Sequence, residues 1–201
     1  MKILQSKASQ SGLLEEMSVR SRRNFLLRTG AVTLSATGVA LLSGCANAGG
    51  YSVDAKAINQ DVSILNTAIS AEHEAVAAYQ IGAESGLLDS GVLKVAVQFQ
   101  GHHKEHIDAL TKAVRSLDGT AEDPKQDYGF PVHKLKNQTD VLEFAAGLER
   151  GAISAYAGAI PIFENRDLSF AAASILADES MHWAVLRSVL GLDPVPGAFF
   201  S

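Results

Sequence analysis

The sequence contains a single cysteine, Cys45, among its 201 residues, and this shortage limits the chemistry open to the chain. No disulfide can form within the chain, and no cluster of thiolates can hold a metal ion. Any metal site beyond Cys45 must therefore use histidine and carboxylate side chains, which are harder ligands than thiolates.

Basic residues are also scarce after Cys45. Eleven Lys and Arg stand against 20 Asp and Glu in this part of the chain, which gives a net charge of −9. An acidic domain of this kind disfavours nucleic acid as a partner and is compatible with cations as ligands. We therefore expect no binding of nucleic acid.

The N-terminal region lacks an apolar run long enough for a good membrane span. Arg22 and Arg23 instead precede a weakly hydrophobic run over residues 31–42, which is rich in Gly, Ser and Thr. This order resembles a twin-arginine export signal. The resemblance implies recognition by the twin-arginine export machinery and a location in the periplasm or elsewhere outside the cytoplasmic membrane.

Two alternatives for processing remain open in the sequence. Residues 42–45, Leu-Ser-Gly-Cys, resemble a lipobox, in which cleavage leaves Cys45 at the N-terminus as the carrier of a lipid anchor. Cleavage after Ala48 would instead release a soluble protein without the cysteine. We expect an export signal and cleavage region over residues 1–48, a tether over 49–59, a helical domain over 60–192 and an apolar tail over 193–201.

A 3.6-residue period dominates the remaining chain, and strand-like alternation is scarce. It predicts helices over about residues 61–86, 90–117, 139–163 and 168–190. Asn59 or Asp61 is the predicted N-cap of the first helix, and Thr139 that of the third. Pro161 is expected to kink the third helix or end it early. The predicted fold is an all-α four-helix bundle with one long crossover between two helical hairpins.

The two halves of this domain resemble each other in sequence. Residues 72–79, EHEAVAAY, overlay residues 149–156, ERGAISAY, with a shift of 77. Residues 103–110, HKEHIDAL, overlay residues 179–186, ESMHWAVL, with a shift of 76. This repeat indicates two helical hairpins of one design.

The apolar face of each predicted helix is interrupted by ionisable residues at its middle. A carboxylate buried alone costs several kcal/mol or takes up a proton, so a core tolerates several only when cations neutralise them. Glu and His three residues apart share one helix face and can chelate one ion. The pattern predicts a two-metal site at the bundle centre, with an internal ion-pair network as the alternative, formed by Glu72, His103, His106, Glu149, Glu179 and His182.

These residues resemble the motif of the ferritin-like superfamily, and in particular its exported members that follow a twin-arginine signal. The motif places Glu on the first and third helices and Glu-x-x-His on the second and fourth. By this resemblance Glu72 and Glu149 would be terminal carboxylates, Glu179 a bridging carboxylate, and His106 and His182 imidazole ligands. It also implies two irons, or manganese, and an oxidoreductase that uses O2 or peroxide in ferroxidase, oxidase or peroxidase-like chemistry.

The chain departs from this motif at His103, where a bridging Glu is expected. Three outcomes stay open: a bound hydroxide or oxide balances the charge, one metal is lost, or His103 is a terminal ligand. His102 is expected to support a ligand or to lie on the path of incoming ions. Two other functions are compatible with the change: a non-enzymatic bundle with a stress-related or envelope-binding role, and metal storage without turnover. The sequence is compatible with a homodimer but not with a ferritin shell.

Overall fold

The computed structural model of the protein describes residues 54–200, and four long helices make up most of this region. The described residues contain no β-strand, which confirms the predicted all-α class. The helices are α1 (Ala55–Glu84), α2 (Ser90–Ser116), α3 (Gln138–Ala159) and α4 (Arg166–Val189), with short 3-10 turns at Val132–Lys134 and Ile160–Ile162.

The helices form two hairpins, α1–α2 and α3–α4, and contacts of α1 with α3 and of α2 with α4 join the hairpins into one bundle. The long segment between α2 and α3 is the predicted crossover. Asn66 on α1 holds it in place, because its side chain donates to the carbonyl of Thr120 at 2.9 Å and accepts from the amide of Glu122 at 2.9 Å. The predicted bundle with one crossover is therefore confirmed.

The first helix begins earlier than predicted. Its N-cap is Asp54, whose side chain accepts a hydrogen bond from the amide of Lys56 at 3.1 Å. Residues 55–59, which were predicted to be tether, are helical, and the predicted caps Asn59 and Asp61 both lie inside α1. No Gly or Pro occurs over residues 55–61 to stop the helix from extending toward the N-terminus.

Asp61 has another role than the predicted cap. It is buried, and its carboxylate accepts hydrogen bonds from the amides of Glu164 and Asn165 at 2.9 and 3.0 Å. These two amides belong to the turn between α3 and α4, so Asp61 ties that turn to the first hairpin. A carboxylate buried in an apolar core needs such partners, and backbone amides supply them here.

The third helix also has a different cap from the one predicted. Asn137, rather than Thr139, accepts a hydrogen bond from the amide of Asp140 at 3.0 Å. The helix ends at Ala159 and a 3-10 turn over Ile160–Ile162 follows. Because Pro161 lacks an amide hydrogen and cannot continue an α-helix, this early end agrees with the prediction.

The predicted export features, Arg22, Arg23 and Cys45, lie outside the described residues. Within residues 54–200, no helix is both long enough and apolar enough to cross a membrane. In the predicted apolar tail, Phe199 and Phe200 are both exposed, and Phe200 also packs edge-to-face on Trp183 of α4 with ring centroids 5.7 Å apart.

Two apolar clusters fill the bundle on either side of a polar middle layer. The first cluster consists of Leu65, Ile69, Leu110, Ala113, Val114, Tyr156, Leu168, Ala172 and Ile175. The second consists of Tyr79, Phe99, Leu142, Ala146 and Leu186. Along each helix the ionisable residues stand between these clusters, so apolar side chains close the polar layer from both ends of the bundle.

Candidate metal centre

The structure brings all six predicted residues together in the polar middle layer. Each helix contributes at corresponding depth: α1 and α3 one glutamate each, α2 two histidines, and α4 a glutamate and a histidine. Five of them are at most 2% exposed, and the side chain of His106 is 12% exposed. The six are Glu72, His103, His106, Glu149, Glu179 and His182.

Their ligand atoms form two adjacent groups of four. The first ligand group is Glu72, His103, His106 and Glu179, and the second ligand group is His103, Glu149, Glu179 and His182. Within each group one nitrogen or oxygen atom per residue lies within 4.8 Å of the others. His103 and Glu179 belong to both groups, which is the arrangement expected of a centre for two neighbouring ions.

Several polar atoms in these groups are fully buried and have no hydrogen-bond partner within the described residues. They are His103 Nε2, Glu149 Oε2, both oxygens of Glu179, and His182 Nδ1. Buried polar atoms are nearly always satisfied, and each exception costs about 1–3 kcal/mol. Five such atoms converging on one place fit a cation, which would accept a lone pair from each of them.

The spacing of the ligand atoms also fits a metal ion. Ligands about 2.1 Å from a metal and 90–109° apart are about 3.0–3.4 Å from one another. His106 Nδ1 lies 3.1 Å from Glu179 Oε1, and His182 Nδ1 lies 3.4 Å from Glu149 Oε1 and 3.4 Å from Glu179 Oε2. The residues present therefore suit a first-row divalent cation such as iron or manganese in their donor types and spacing.

His103 faces both ligand groups with opposite sides of its ring. Its Nδ1 lies 2.8 Å from Glu72 Oε2, and its Nε2 lies 3.4 Å from Glu149 Oε1. A neutral imidazole has one lone pair, so it can ligate on one side only while its N–H donates on the other. With the Nδ1–H donated to Glu72, the unpartnered Nε2 would be free to ligate an ion in the second ligand group.

The apolar faces, or seams, of the predicted helices did not identify Asp178 as a site residue. Asp178 contacts both His106 and His182. Its Oδ2 lies 3.3 Å from Nε2 of His106 and 3.3 Å from Nε2 of His182. Both rings thus present Nδ1 to the ligand groups and Nε2–H to one carboxylate, an arrangement that fixes the orientation of metal-ligating histidines. Asp178 lies one residue from Glu179 and so points off the seam, but its adjacency to a predicted ligand was a usable signal.

Two tyrosines link the hairpins through the terminal glutamates. Tyr79 on α1 donates its hydroxyl hydrogen to Glu149 on α3, and Tyr156 on α3 donates to Glu72 on α1 at 2.6 Å. Burial and the adjacent glutamate raise the pKa of each tyrosine well above its usual value, so both stay protonated donors. Both are buried core aromatics whose hydroxyl group has a hydrogen-bond partner.

The carboxylates of the centre differ in how easily they take up a proton. Burial by itself would raise the pKa of Glu72, but hydrogen bonds from His103 and His106 lower it to about 2. The pKa of Glu149 is lowered in the same way, against the effect of burial, by His103 and His182. Burial and the nearby Glu149 raise the pKa of Glu179. Glu179 is therefore the carboxylate whose ionised form a neighbouring cation would stabilise most.

The histidines respond to the same charges in the opposite direction. Burial would lower their pKa values, but the surrounding carboxylates raise the pKa of His103 to about 9 and those of His106 and His182 to about 11. Without a metal ion these rings thus carry protons that offset the buried negative charge. A metal ion must displace those protons, so cations and protons compete for the same atoms.

His102, Glu105 and His133 are not members of the two ligand groups. His102 contacts the outer side of His182, with its Nδ1 2.8 Å from His182 Nε2. Glu105 is exposed on the outside of α2 and His133 is exposed in the crossover. Neither Glu105 nor His133 joins a group of metal-ligating side chains among the described residues.

A protein-family model described as "Ferritin-like domain" matches residues 60–192 of the chain. No curated protein sequence matches the chain. The match covers all four helices apart from the first residues of α1, and it includes every residue of the two ligand groups.

Solved structures of similar fold include a conserved hypothetical protein, rv2844, from Mycobacterium tuberculosis. It has a TM-score of 0.61 and 22% sequence identity, over 70% of this chain and 97% of that one. A second is described as a ferritin-like, diiron-carboxylate protein from Bacillus anthracis, with a TM-score of 0.58 and 18% identity, over 67% of this chain and 97% of that one. At these identities the likeness shows a shared fold.

Proposed function

The chain belongs to the ferritin-like domain family, and from this premise and the geometry of the polar layer we propose that it is an exported two-metal oxidoreductase. The observation that carries the proposal is the convergence of five unpartnered buried ligand atoms within two groups that share His103 and Glu179. The ions proposed are iron or manganese, because carboxylates and imidazoles without thiolates suit these metals. The solved relative described as a diiron-carboxylate protein supports the same choice.

When bound, such ions would supply one-electron redox chemistry toward O2 or peroxide. The chain's own part is to hold them: Glu72 and Glu149 as terminal carboxylates, Glu179 between the groups, and His103, His106 and His182 as imidazole ligands. Tyr79 and Tyr156 orient the terminal carboxylates through their hydroxyls. Asp178 orients His106 and His182 through their outer nitrogens.

The surroundings of the centre suit a small apolar oxidant. Tyr79 borders one apolar cavity together with Leu142 and Leu186. Tyr156 borders another at the opposite side of the centre, together with Leu110 and Ile175. Apolar walls exclude water and strengthen the electrostatic interactions inside, and O2 partitions readily into such spaces. The two cavities are the proposed approaches of the oxidant to the centre.

The protein is proposed to act outside the cytoplasmic membrane after export through the twin-arginine route directed by Arg22 and Arg23. That route carries folded proteins, so the ions could be loaded before export. Cys45 is the proposed lipid attachment point if cleavage occurs at the lipobox. Fractionation of cells that express the chain, compared with a variant in which both arginines are lysine, tests this placement: loss of the exported form in the variant supports it, and unchanged export contradicts it.

A second candidate function, metal binding without turnover, is favoured by one observation. His103 replaces a carboxylate that would otherwise bridge the ions, and its single lone pair serves only one ligand group at a time. The first ligand group is then left with Glu72, His106 and Glu179. A centre with one fewer negative charge stabilises the oxidised ions less well.

Metal analysis of protein purified from its own host, followed by assay of O2 consumption on addition of Fe²⁺, tests the proposal and separates the two functions. About two ions per chain and O2 uptake that is lost in E179Q support the oxidoreductase. The same ions without O2 or peroxide consumption support binding alone. Absence of bound metal, with thermal stability unaffected by a chelator, contradicts both.

A further inference from the structure

A third set of metal-ligating atoms lies on the outer side of the two ligand groups. This outer ligand group consists of His102, Asp178 and His182. His102 Nδ1 lies 2.8 Å from His182 Nε2, while Asp178 Oδ2 lies 3.3 Å from both of these nitrogens. Two imidazoles and one carboxylate at such spacings form the facial set that binds divalent iron and similar ions, with the remaining positions open.

The outer ligand group differs from the buried groups in its contact with solvent. The side chains of His102 and Asp178 are 33% and 24% exposed, whereas Glu149 and Glu179 are at most 1% exposed. Hydrated ions arriving from solution therefore have better access to His102 and Asp178 than to the ligands of the buried centre, of which His106 is the most exposed at 12%.

His182 belongs to both the outer and the second ligand group, through different nitrogens. Its Nε2 faces His102 and Asp178, and its Nδ1 faces Glu149 and Glu179 at 3.4 Å. A neutral imidazole has one lone pair and one N–H, so the ring cannot ligate ions on both sides at once without also losing its N–H proton. An ion can therefore bind either Nε2 or Nδ1 of His182 at one time, an arrangement that suits passage of an ion rather than storage.

We propose that His102, Asp178 and Nε2 of His182 form an uptake site that binds a divalent cation at the solvent side and passes it to the buried centre. The inference rests on the proposed metal-binding function. While the ion occupies the uptake site, the ring proton of His182 sits on Nδ1 and faces Glu149. When the ion moves inward and takes the lone pair of Nδ1, the proton sits on Nε2 and is donated to Asp178. No net proton is gained or lost by the ring in this exchange.

Rapid-mixing measurements of Co²⁺ uptake by the metal-free full chain test the proposal, since the visible absorption of Co²⁺ reports protein ligands. H102A removes an uptake ligand that belongs to neither buried group. Loading is expected to slow by about tenfold or more, the range in which removing a supporting partner weakens a metal site. The final number of ions per chain is expected to equal that of the unaltered protein. H133A, which alters an exposed histidine of the crossover, is the matched control and should load at the original rate.

A second measurement isolates the uptake site from the buried centre. In E179Q the ligand shared by the two buried groups is weakened, so titration with Co²⁺ should show one weakly held ion, and the double variant E179Q/H102A should lose it. Far-UV circular dichroism confirms that each variant is folded.

The outcomes separate this inference from the proposed function. Loading of H102A at the original rate, an equilibrium content one ion lower in H102A, or equal binding by E179Q and E179Q/H102A would overturn the uptake site while leaving the buried centre in place. Failure of the unaltered chain to bind Co²⁺ would overturn both.

Discussion

The two hairpins share one design but contribute opposite chemistry to the polar layer. The first, α1–α2, brings one carboxylate, Glu72, and three histidines, His102, His103 and His106. The second, α3–α4, brings one histidine, His182, and three carboxylates, Glu149, Asp178 and Glu179. The repeat aligns Asp178-Glu179 with His102-His103, so one pair of adjacent substitutions accounts for the whole difference.

This difference shows how a duplicated site can stay folded without its ion. Carboxylates on all four helices would repel one another in the metal-free core, and each would have to find a proton. Here the histidine-rich hairpin carries protons that face the carboxylate-rich hairpin, as the raised pKa values of His103, His106 and His182 indicate. Histidines in place of two carboxylates on α2 keep ligand atoms at the same positions and reduce the buried negative charge that a cation must neutralise.

The largest expected effect comes from the carboxylate-rich hairpin. E179Q should remove the tightly bound ions, from about two per chain to none after dialysis, because Glu179 belongs to both buried groups. The stability of the metal-free variant should change little, because the loss of the contacts of Glu179 with His106 at 3.1 Å and His182 at 3.4 Å is offset by removal of a charge buried beside Glu149. Metal analysis and thermal unfolding in a chelator measure the two results. E74Q, two residues from Glu72 and on a different face of α1, is the control, and equal binding by both variants would show that the helix register is misassigned.

The next largest effect is expected from H103E, which makes the first hairpin more like the second. H103E places Glu-x-x-His on α2 but replaces a proton-carrying ring with a fourth carboxylate within the two ligand groups. We expect the metal-free protein to lose about 3–5 kcal/mol of stability at neutral pH, the cost of leaving a buried charge without its partner. Added Mn²⁺ should restore more stability to H103E than to the original chain. Chemical denaturation with and without Mn²⁺ measures both, and an unchanged metal-free stability would contradict the charge argument.

Substitution of the two tyrosines, which occupy corresponding positions in the two hairpins, is expected to change stability less. Glu149 accepts a hydrogen bond from Tyr79, and its nearest histidine nitrogens, on His103 and His182, are 3.4 Å away. Glu72 accepts from Tyr156 at 2.6 Å and has closer histidine nitrogens, at 2.8 Å on His103 and 3.3 Å on His106. Y79F should therefore cost about 2–3 kcal/mol, and Y156F closer to 1–2 kcal/mol, within the range for hydrogen bonds to charged groups. Denaturant unfolding of the metal-free variants compares them. Equal losses would mean that the extra partners of Glu72 do not compensate.

The last comparison is the effect of pH on the metal-free protein. The pKa of His103 rises from 6.5 to about 9 on folding, so its contribution to stability is complete below pH 6.5 and is lost as pH rises through about 9. Glu72, with its pKa lowered from 4.5 to about 2, contributes above pH 4.5 and loses this only as pH falls through 2. Melting temperature in a chelator should fall between pH 6.5 and 9, and less so in H103Q.

Metal binding should show the reverse trend, with affinity rising over the same pH range as protons leave the histidines. A melting temperature that rises with pH in the chelator, or an affinity for Mn²⁺ that is independent of pH, would mean that His103 carries no proton in the metal-free fold.

Much of the fold and of the centre could be predicted from periodicity. The 3.6-residue pattern located the four helices, and the interrupted seams identified the six buried ionisable residues that meet in the structure. The start of α1 could not be predicted reliably, because Asp54, Asn59 and Asp61 are all acceptable caps by residue type. Only the packing of the α3–α4 turn shows that Asp61 is needed as an acceptor for Glu164 and Asn165.

The order of residues alone establishes which side chains share a helix face, because the spacing of residues along an α-helix fixes their direction. It therefore determined the depth of the centre and its mixture of glutamate and histidine. Tertiary structure alone decided which ring nitrogen faces which carboxylate, and that Asp178 and His102 meet His182 from outside the seam. Those contacts depend on rotamers and on the distance between helices, which no spacing within a single helix encodes.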